Sequence, residues 1–190
     1  MVITTSSFFV TKKIATKNAN KLIKILYWNA FGVLNKDYTF FKFIEQYEII
    51  CLSETWVLEK DEKKIRIKLS KNCNWYFMSA EKGGKRGRAK GGVIIGVKNN
   101  LNANIHIVEK WFAKITLKTN YKNYNIFLGY LIENREKILK VLSVEFEKIL
   151  DKSIIVMGDL NARTGNERGA DIFNDEKIYR NSKDFDIERL

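Results

Sequence analysis

A succession of strand-length apolar runs, each closed by turn or charged residues, constrains this chain more than any other feature. Residues 22–30 alternate apolar and polar positions (Leu22, Ile23, Ile25, Leu26, Trp28), and residues 49–54, 75–78, 93–97, 105–108, 113–117 and 124–131 are further short runs. Their length and their alternating or continuous apolar character predict strands. Two segments carry the helical period instead. Phe40, Phe43, Ile44 and Tyr47 recur along Thr39–Tyr47, and Ile138, Leu142, Phe146 and Ile149 form one stripe of a longer helix that Asn134 can cap. Lys137, Lys140, Glu145, Glu147 and Lys148 fall on its wet face. Strand–helix–strand units flanking a strand-rich, antiparallel centre predict a mixed-sheet α/β sandwich.

A length of 190 residues with 45% hydrophobic and 13% aromatic content suits one globular domain with a sizeable core. Residues 21–190 read as that domain, without internal repeats or linkers. Residues 1–20, rich in Ser, Thr, Lys and Asn, read as a disordered leader that lacks the apolar core of a secretory signal. No apolar run approaches the length of a membrane span. The two cysteines make no disulfide framework, and Cys51 inside an apolar run reads as a buried thiol, which fits a reducing, intracellular compartment. Past Gly165 the apolar pattern thins, and residues 167–190 read as loop or partly disordered tail.

The net charge is +12, and its placement matters more than its size. Between Lys60 and Lys90 eleven basic residues face only Asp61, Glu62 and Glu81, so two thirds of the excess lies there. Such clustering fits either a solvated loop face or a polyanion partner. Glycines interleave with Lys85, Arg86, Arg88 and Lys90, and glycine lets backbone amides approach phosphates closely, which favours nucleic acid.

The candidate chemistry sits at strand ends. Ile154, Ile155, Val156 and Met157 form an apolar run that stops at Gly158, Asp159 and Asn161. An aspartate there supplies an anionic oxygen for a hard cation or for orienting water, and the asparagine adds a donor and an acceptor without charge. The pair suits a phosphate ester, although the same residues also end strands for purely structural reasons. Glu54 ends the Ile49 run in the same way. If neighbouring strand ends bring the two carboxylates to one cation, oxygen-only ligands select Mg²⁺ or Mn²⁺ over zinc.

Three separated motifs, Leu52-Ser-Glu-Thr-Trp56, Arg86-Gly-Arg-Ala-Lys-Gly-Gly92 and Gly158-Asp-Leu-Asn-Ala-Arg-Thr-Gly165, occur in order within a stretch from Lys24 to Gly165 that resembles the endonuclease domain of LINE-type (non-LTR) retrotransposons. That domain is a branch of the endonuclease/exonuclease/phosphatase superfamily. The resemblance implies a deoxyribonuclease-like α/β sandwich and a Mg²⁺-dependent DNA endonuclease, nuclear where functional, with a reverse transcriptase as a downstream partner domain. It assigns Glu54 as the metal-binding glutamate, Asn29 as the residue arranging the metal ligands, Tyr130 as a contact of the scissile phosphate, Asp159 as the group that orients or activates water, and Asn161 as a holder of the phosphate.

Two departures stand out. The proline that usually follows the tyrosine two residues later is Ile132 here, and no Ser-Asp-His or Thr-Asp-His tripeptide occurs. The single histidine, His106, precedes the tyrosine segment, in an alternating strand. A domain incomplete at its C-terminus, with cleavage weak or absent, is the resulting expectation. A catalytically dead nucleic-acid-binding remnant and a phosphatase or lipid phosphodiesterase of the same superfamily are the alternatives.

Overall fold

A computed structural model of the protein describes residues 2–4, 9–15, 22–84, 87–119, 122–130, 135–149 and 153–159. In chain order its strands are β1 (Val2–Thr4), β2 (Phe9–Ala15), β3 (Leu22–Asn29), β4 (Ile49–Ser53), β5 (Cys73–Met78), β6 (Glu81–Lys82), β7 (Ala89–Lys90), β8 (Val93–Lys98), β9 (Ala103–Glu109), β10 (Phe112–Lys118), β11 (Asn123–Tyr130) and β12 (Ile154–Asp159). The helices are α1 (Tyr38–Ile44), α2 (Glu62–Arg66) and α3 (Arg135–Glu147).

Among the described residues two five-stranded mixed sheets form, ordered β1-β12-β11-β10-β9 and β2-β3-β4-β8-β5, beside a small β6-β7 ribbon. The parallel pairs β3/β4 and β11/β12 are the products of the two crossovers through α1 and α3, because parallel neighbours need a long return connection. The facing sides of the sheets bury one core, in which Ile25, Tyr27, Ile49, Cys51 and Ile95 meet Ala113, Ile115, Ile126, Leu128 and Met157. The outer side of the β4 sheet packs Leu26, Ile50, Leu52 and Ile94 against Phe40, Phe41 and Ile44 of α1 and Ile65 of α2. The outer side of the β12 sheet packs Phe127, Ile154 and Val156 against Ile138 and Leu142 of α3. Helices thus cover both outer faces, and the expected mixed-sheet α/β sandwich is the observed architecture. Every residue of Ile49–Ser53 is buried, as a strand apolar on both faces requires. α1 begins where the Asp37 carboxylate accepts the Phe40 N–H at 3.0 Å, an N-cap that satisfies one of the helix's orphan donors.

Within the segment 1–20, expected to be a disordered leader, Val2–Thr4 pairs with β12 and Phe9–Ala15 pairs with β3 over its full length. A hydrogen-bonding partner in an existing sheet orders these short segments, and Ile14 of β2 joins the core between the sheets. The basic segment Lys60–Lys90 is divided among several elements. In and around α2, Lys64 pairs with Asp61 at 2.7 Å, Arg66 with Glu62 at 3.4 Å, and Lys68 donates to the Leu34 carbonyl at 3.1 Å. Its last part includes the β6-β7 ribbon. Asn134, Leu131, Ile132 and the 167–190 tail lie outside the described residues. Among the described residues no helix is long and apolar enough to cross a membrane.

Candidate active site at the converging strand ends

β3 and β4 run parallel and end together, with Asn29 opposite Ser53. Beyond the strands the two segments stay paired, because Gly32 N–H donates to the Glu54 carbonyl at 2.8 Å and Val33 N–H to the Thr55 carbonyl at 3.1 Å. On the other sheet β11 and β12 also end together, with Tyr130 opposite Asp159. One buried hydroxyl joins the two ends. Tyr27 Oη donates to Ser53 Oγ at 2.7 Å and accepts the Asp159 N–H at 2.8 Å. Asp159 is thereby held one hydroxyl away from the residue that precedes Glu54. Burial pushes the Tyr27 phenol well above the ordinary tyrosine range, so the proton it donates to Ser53 stays in place.

This bridge makes a stability prediction. Tyr27→Phe removes the donor to the fully buried Ser53 hydroxyl, a loss of about 1–3 kcal/mol, and the oxygen that accepts the Asp159 N–H. The thermal midpoint of the variant is expected several degrees below the parent's by circular dichroism. An unchanged midpoint would show that the bridge contributes nothing.

Glu54 occupies a left-handed backbone conformation, φ +49°, rare for a residue with a side chain. Its carboxylate is aimed by two donors on one oxygen, as Trp56 Nε1–H reaches Oε2 at 2.7 Å and Gly91 N–H reaches it at 3.0 Å. Among the described residues no hydrogen bond is made to Oε1. The Gly91 amide can approach because a Cβ at that position would lie 2.3 Å from the Trp111 ring. Trp111 is itself fixed, donating its indole N–H to the Ser79 carbonyl at 2.9 Å, accepting the Tyr130 N–H on its own carbonyl at 2.9 Å, and lying 6.4 Å from the Tyr130 ring. Glu54, Gly91, Trp111 and Tyr130 therefore form one packed chain from the first sheet to the second.

Asn29 is buried, and its Oδ1 accepts the Phe31 N–H at 3.3 Å. The basic ribbon joins the site through Trp56, whose ring carries the Arg88 guanidinium at 3.7 Å. Lys90 is exposed on β7. Asn161, Lys85 and Arg86 lie outside the described residues. His106 stands on the edge strand β9 opposite Lys114, whose ammonium pairs with Glu145 of α3 at 2.8 Å, so the histidine shares the outer face and not the site.

The structure therefore brings Asn29, Glu54, Tyr130 and Asp159 to one end of the sandwich. Tyr27 and Trp111 carry no site signal in the sequence, and Ser53 and Gly91 lie inside two of the three motifs without a sign of these contacts. Their contributions are hydrogen bonds and close approaches between distant segments. As to a cation, Asn29, Glu54 and Asp159 offer oxygen donors, and Glu54 presents one oxygen while the other is clamped. No group of three His, Cys, Asp or Glu side chains able to hold a metal ion forms among the described residues. That sparse, oxygen-based set fits Mg²⁺, which keeps several waters and takes one or two carboxylates together with substrate phosphate.

A model of the Endonuclease/Exonuclease/phosphatase family matches residues 26–175, from within β3 to beyond β12. No curated protein sequence matches the chain. Among solved structures, the AP endonuclease LMAP from Leishmania major is similar at 15% identity and a TM-score of 0.51, covering 71% of this chain and 54% of that one. The endonuclease domain of TRAS1, a telomere-specific non-LTR retrotransposon, matches at 13% identity and a TM-score of 0.44, over 67% of this chain and 52% of that one. TDP2 from C. elegans matches at 16% identity and a TM-score of 0.46, over 72% and 47%. The chain spans about half the length of these structures. With two mixed sheets face to face and the family match running from within β3 through β12, the chain belongs to the Endonuclease/Exonuclease/phosphatase family.

Proposed function

We propose that the chain is a metal-dependent phosphodiester hydrolase acting on DNA, of the LINE-type endonuclease branch. The observation that carries the reading is the Glu54 carboxylate, clamped through Oε2 by Trp56 and Gly91, at the same end of the sandwich as Asp159. Glu54 would hold Mg²⁺ or Mn²⁺, with Asn29 arranging its surroundings. When bound, the cation supplies positive charge to the phosphoryl and leaving oxygens.

The remaining roles belong to the protein. Asp159 accepts a hydrogen bond from the attacking water and orients it toward phosphorus. The Tyr130 hydroxyl and the Asn161 amide donate to phosphate oxygens, where charge builds as the bond breaks. Lys85, Arg86, Arg88 and Lys90 hold the flanking phosphates without reading a base sequence, since phosphate contacts position the nucleic acid and base contacts specify it. The Leu52–Trp56 motif and the basic ribbon favour DNA over a small phosphate ester. Chromosomal DNA as substrate puts the site of action in the nucleus.

Titration calorimetry tests the metal assignment. Saturable Mg²⁺ or Mn²⁺ binding that raises the thermal midpoint is expected, because a ligand that prefers the folded state stabilises it. Glu54→Gln is expected to weaken the affinity at least about tenfold. Equal affinity in parent and variant would remove Glu54 from the metal site.

A further inference from the structure

Phe31 presents a ring that the core does not use. It is 53% exposed, whereas Ala30 before it and Val33 after it are buried at 2% and 0%. Its backbone is left-handed, φ +47°, a conformation that costs a bulky residue energy and persists only where its surroundings enforce it. Those surroundings are specific. The Asn29 side chain accepts the Phe31 N–H, the Gly32 N–H is bound to the Glu54 carbonyl, and a Cβ on Gly32 would lie 2.5 Å from Trp56 Cε3. The loop is pinned by hydrogen bonds from its backbone to Asn29 and to the Glu54 segment, with its aromatic ring exposed.

Trp56 supports that ring edge-on, with centroids 6.4 Å apart at 75°, while the same indole carries the Arg88 guanidinium at 3.7 Å. One tryptophan therefore mounts a half-exposed aromatic ring and a cation side by side. A nucleotide has the complementary pair, a flat base and an anionic phosphate joined through the sugar. We propose that Phe31 is a stacking platform for an unstacked nucleobase next to the cleaved phosphate, so that the site takes DNA whose bases are unpaired there in preference to intact duplex. This deepens the phosphodiesterase reading and rests on it. Inside a duplex both faces of a base are covered by its neighbours, whereas an unpaired base offers a face to an aromatic side chain. The charge beside the ring favours a nucleic acid over an apolar peptide, because the Arg88 guanidinium on the same indole matches a phosphate.

Fluorescence anisotropy with a fully paired duplex and the same duplex carrying a short single-stranded gap separates the possibilities, using the parent, Phe31→Ala and Phe31→Trp. The parent is expected to bind the gapped DNA more tightly. Phe31→Ala is expected to weaken gapped binding by about 5- to 150-fold, the range for one base–aromatic stack, and to lose more on the gapped than on the paired DNA. Phe31→Trp is expected to restore the preference. Equal losses on the two DNAs, or no loss on either, would overturn the stacking platform while leaving nucleic-acid binding intact. Absence of salt-sensitive binding to both DNAs by the parent would overturn the nucleic-acid reading and this inference with it.

Discussion

Replacing Lys85, Arg86, Arg88 and Lys90 together with glutamate is expected to remove most duplex DNA binding. Neutralising about four phosphates gives a log–log salt slope of about −3.6, or roughly a 10²-fold loss of affinity between 50 and 200 mM salt for the parent. Charge reversal removes those attractions and adds repulsion, so the variant is expected to fall below the parent by more than that factor at low salt. Arg88 carries a second consequence, because its guanidinium lies on the ring that clamps Glu54. Lys64→Glu is the informative contrast. That lysine already pairs with Asp61, and its reversal is expected to change binding little. Anisotropy titrations across a salt series measure both variants, and a flat salt dependence in the parent would reject an electrostatic interface.

The other large effect is expected at Asp159. Removing a group that orients or deprotonates the attacking water lowers a rate by about 10²–10⁴-fold. Asp159→Ala takes away the carboxylate and keeps the backbone N–H that the Tyr27 hydroxyl accepts, so the bridge between the sheets survives. Its thermal midpoint is expected to stay near the parent's, in contrast to Tyr27→Phe. His106→Ala is expected to leave cleavage unchanged, since that residue faces outward on the edge strand β9. A midpoint that collapses in Asp159→Ala would make the carboxylate structural.

The two sheets and α3 could be anticipated because local signals carried them. Ile49–Leu52 and Ile154–Met157 are continuous apolar runs, and Ile138 and Leu142 face the core as their spacing requires. β1 and β2 could not. Thr11, Lys12 and Lys13 give β2 a polar centre, and β1 owes its order to pairing with β12, at the far end of the described chain. α2 spans five residues, too short for a helical period to register, so its lysines were counted with the ribbon's before their Asp61 and Glu62 partners were visible. In the site, Glu54 and Asp159 were legible as carboxylates ending apolar strands. What aims Glu54, an indole two residues on and an amide thirty-seven residues on, exists only once the segments meet. Tyr27 read as a strand residue because nothing local shows where a hydroxyl on the inner face will reach.

Nicking of supercoiled plasmid by the 190-residue chain, titrated with Mg²⁺ and run beside Asp159→Ala, tests the phosphodiesterase assignment most directly. Slow nicking that requires the cation and disappears in the variant is the expected result. Nicking that persists in Asp159→Ala or without divalent cation, or DNA binding with no strand cleavage at any Mg²⁺ concentration, would contradict it.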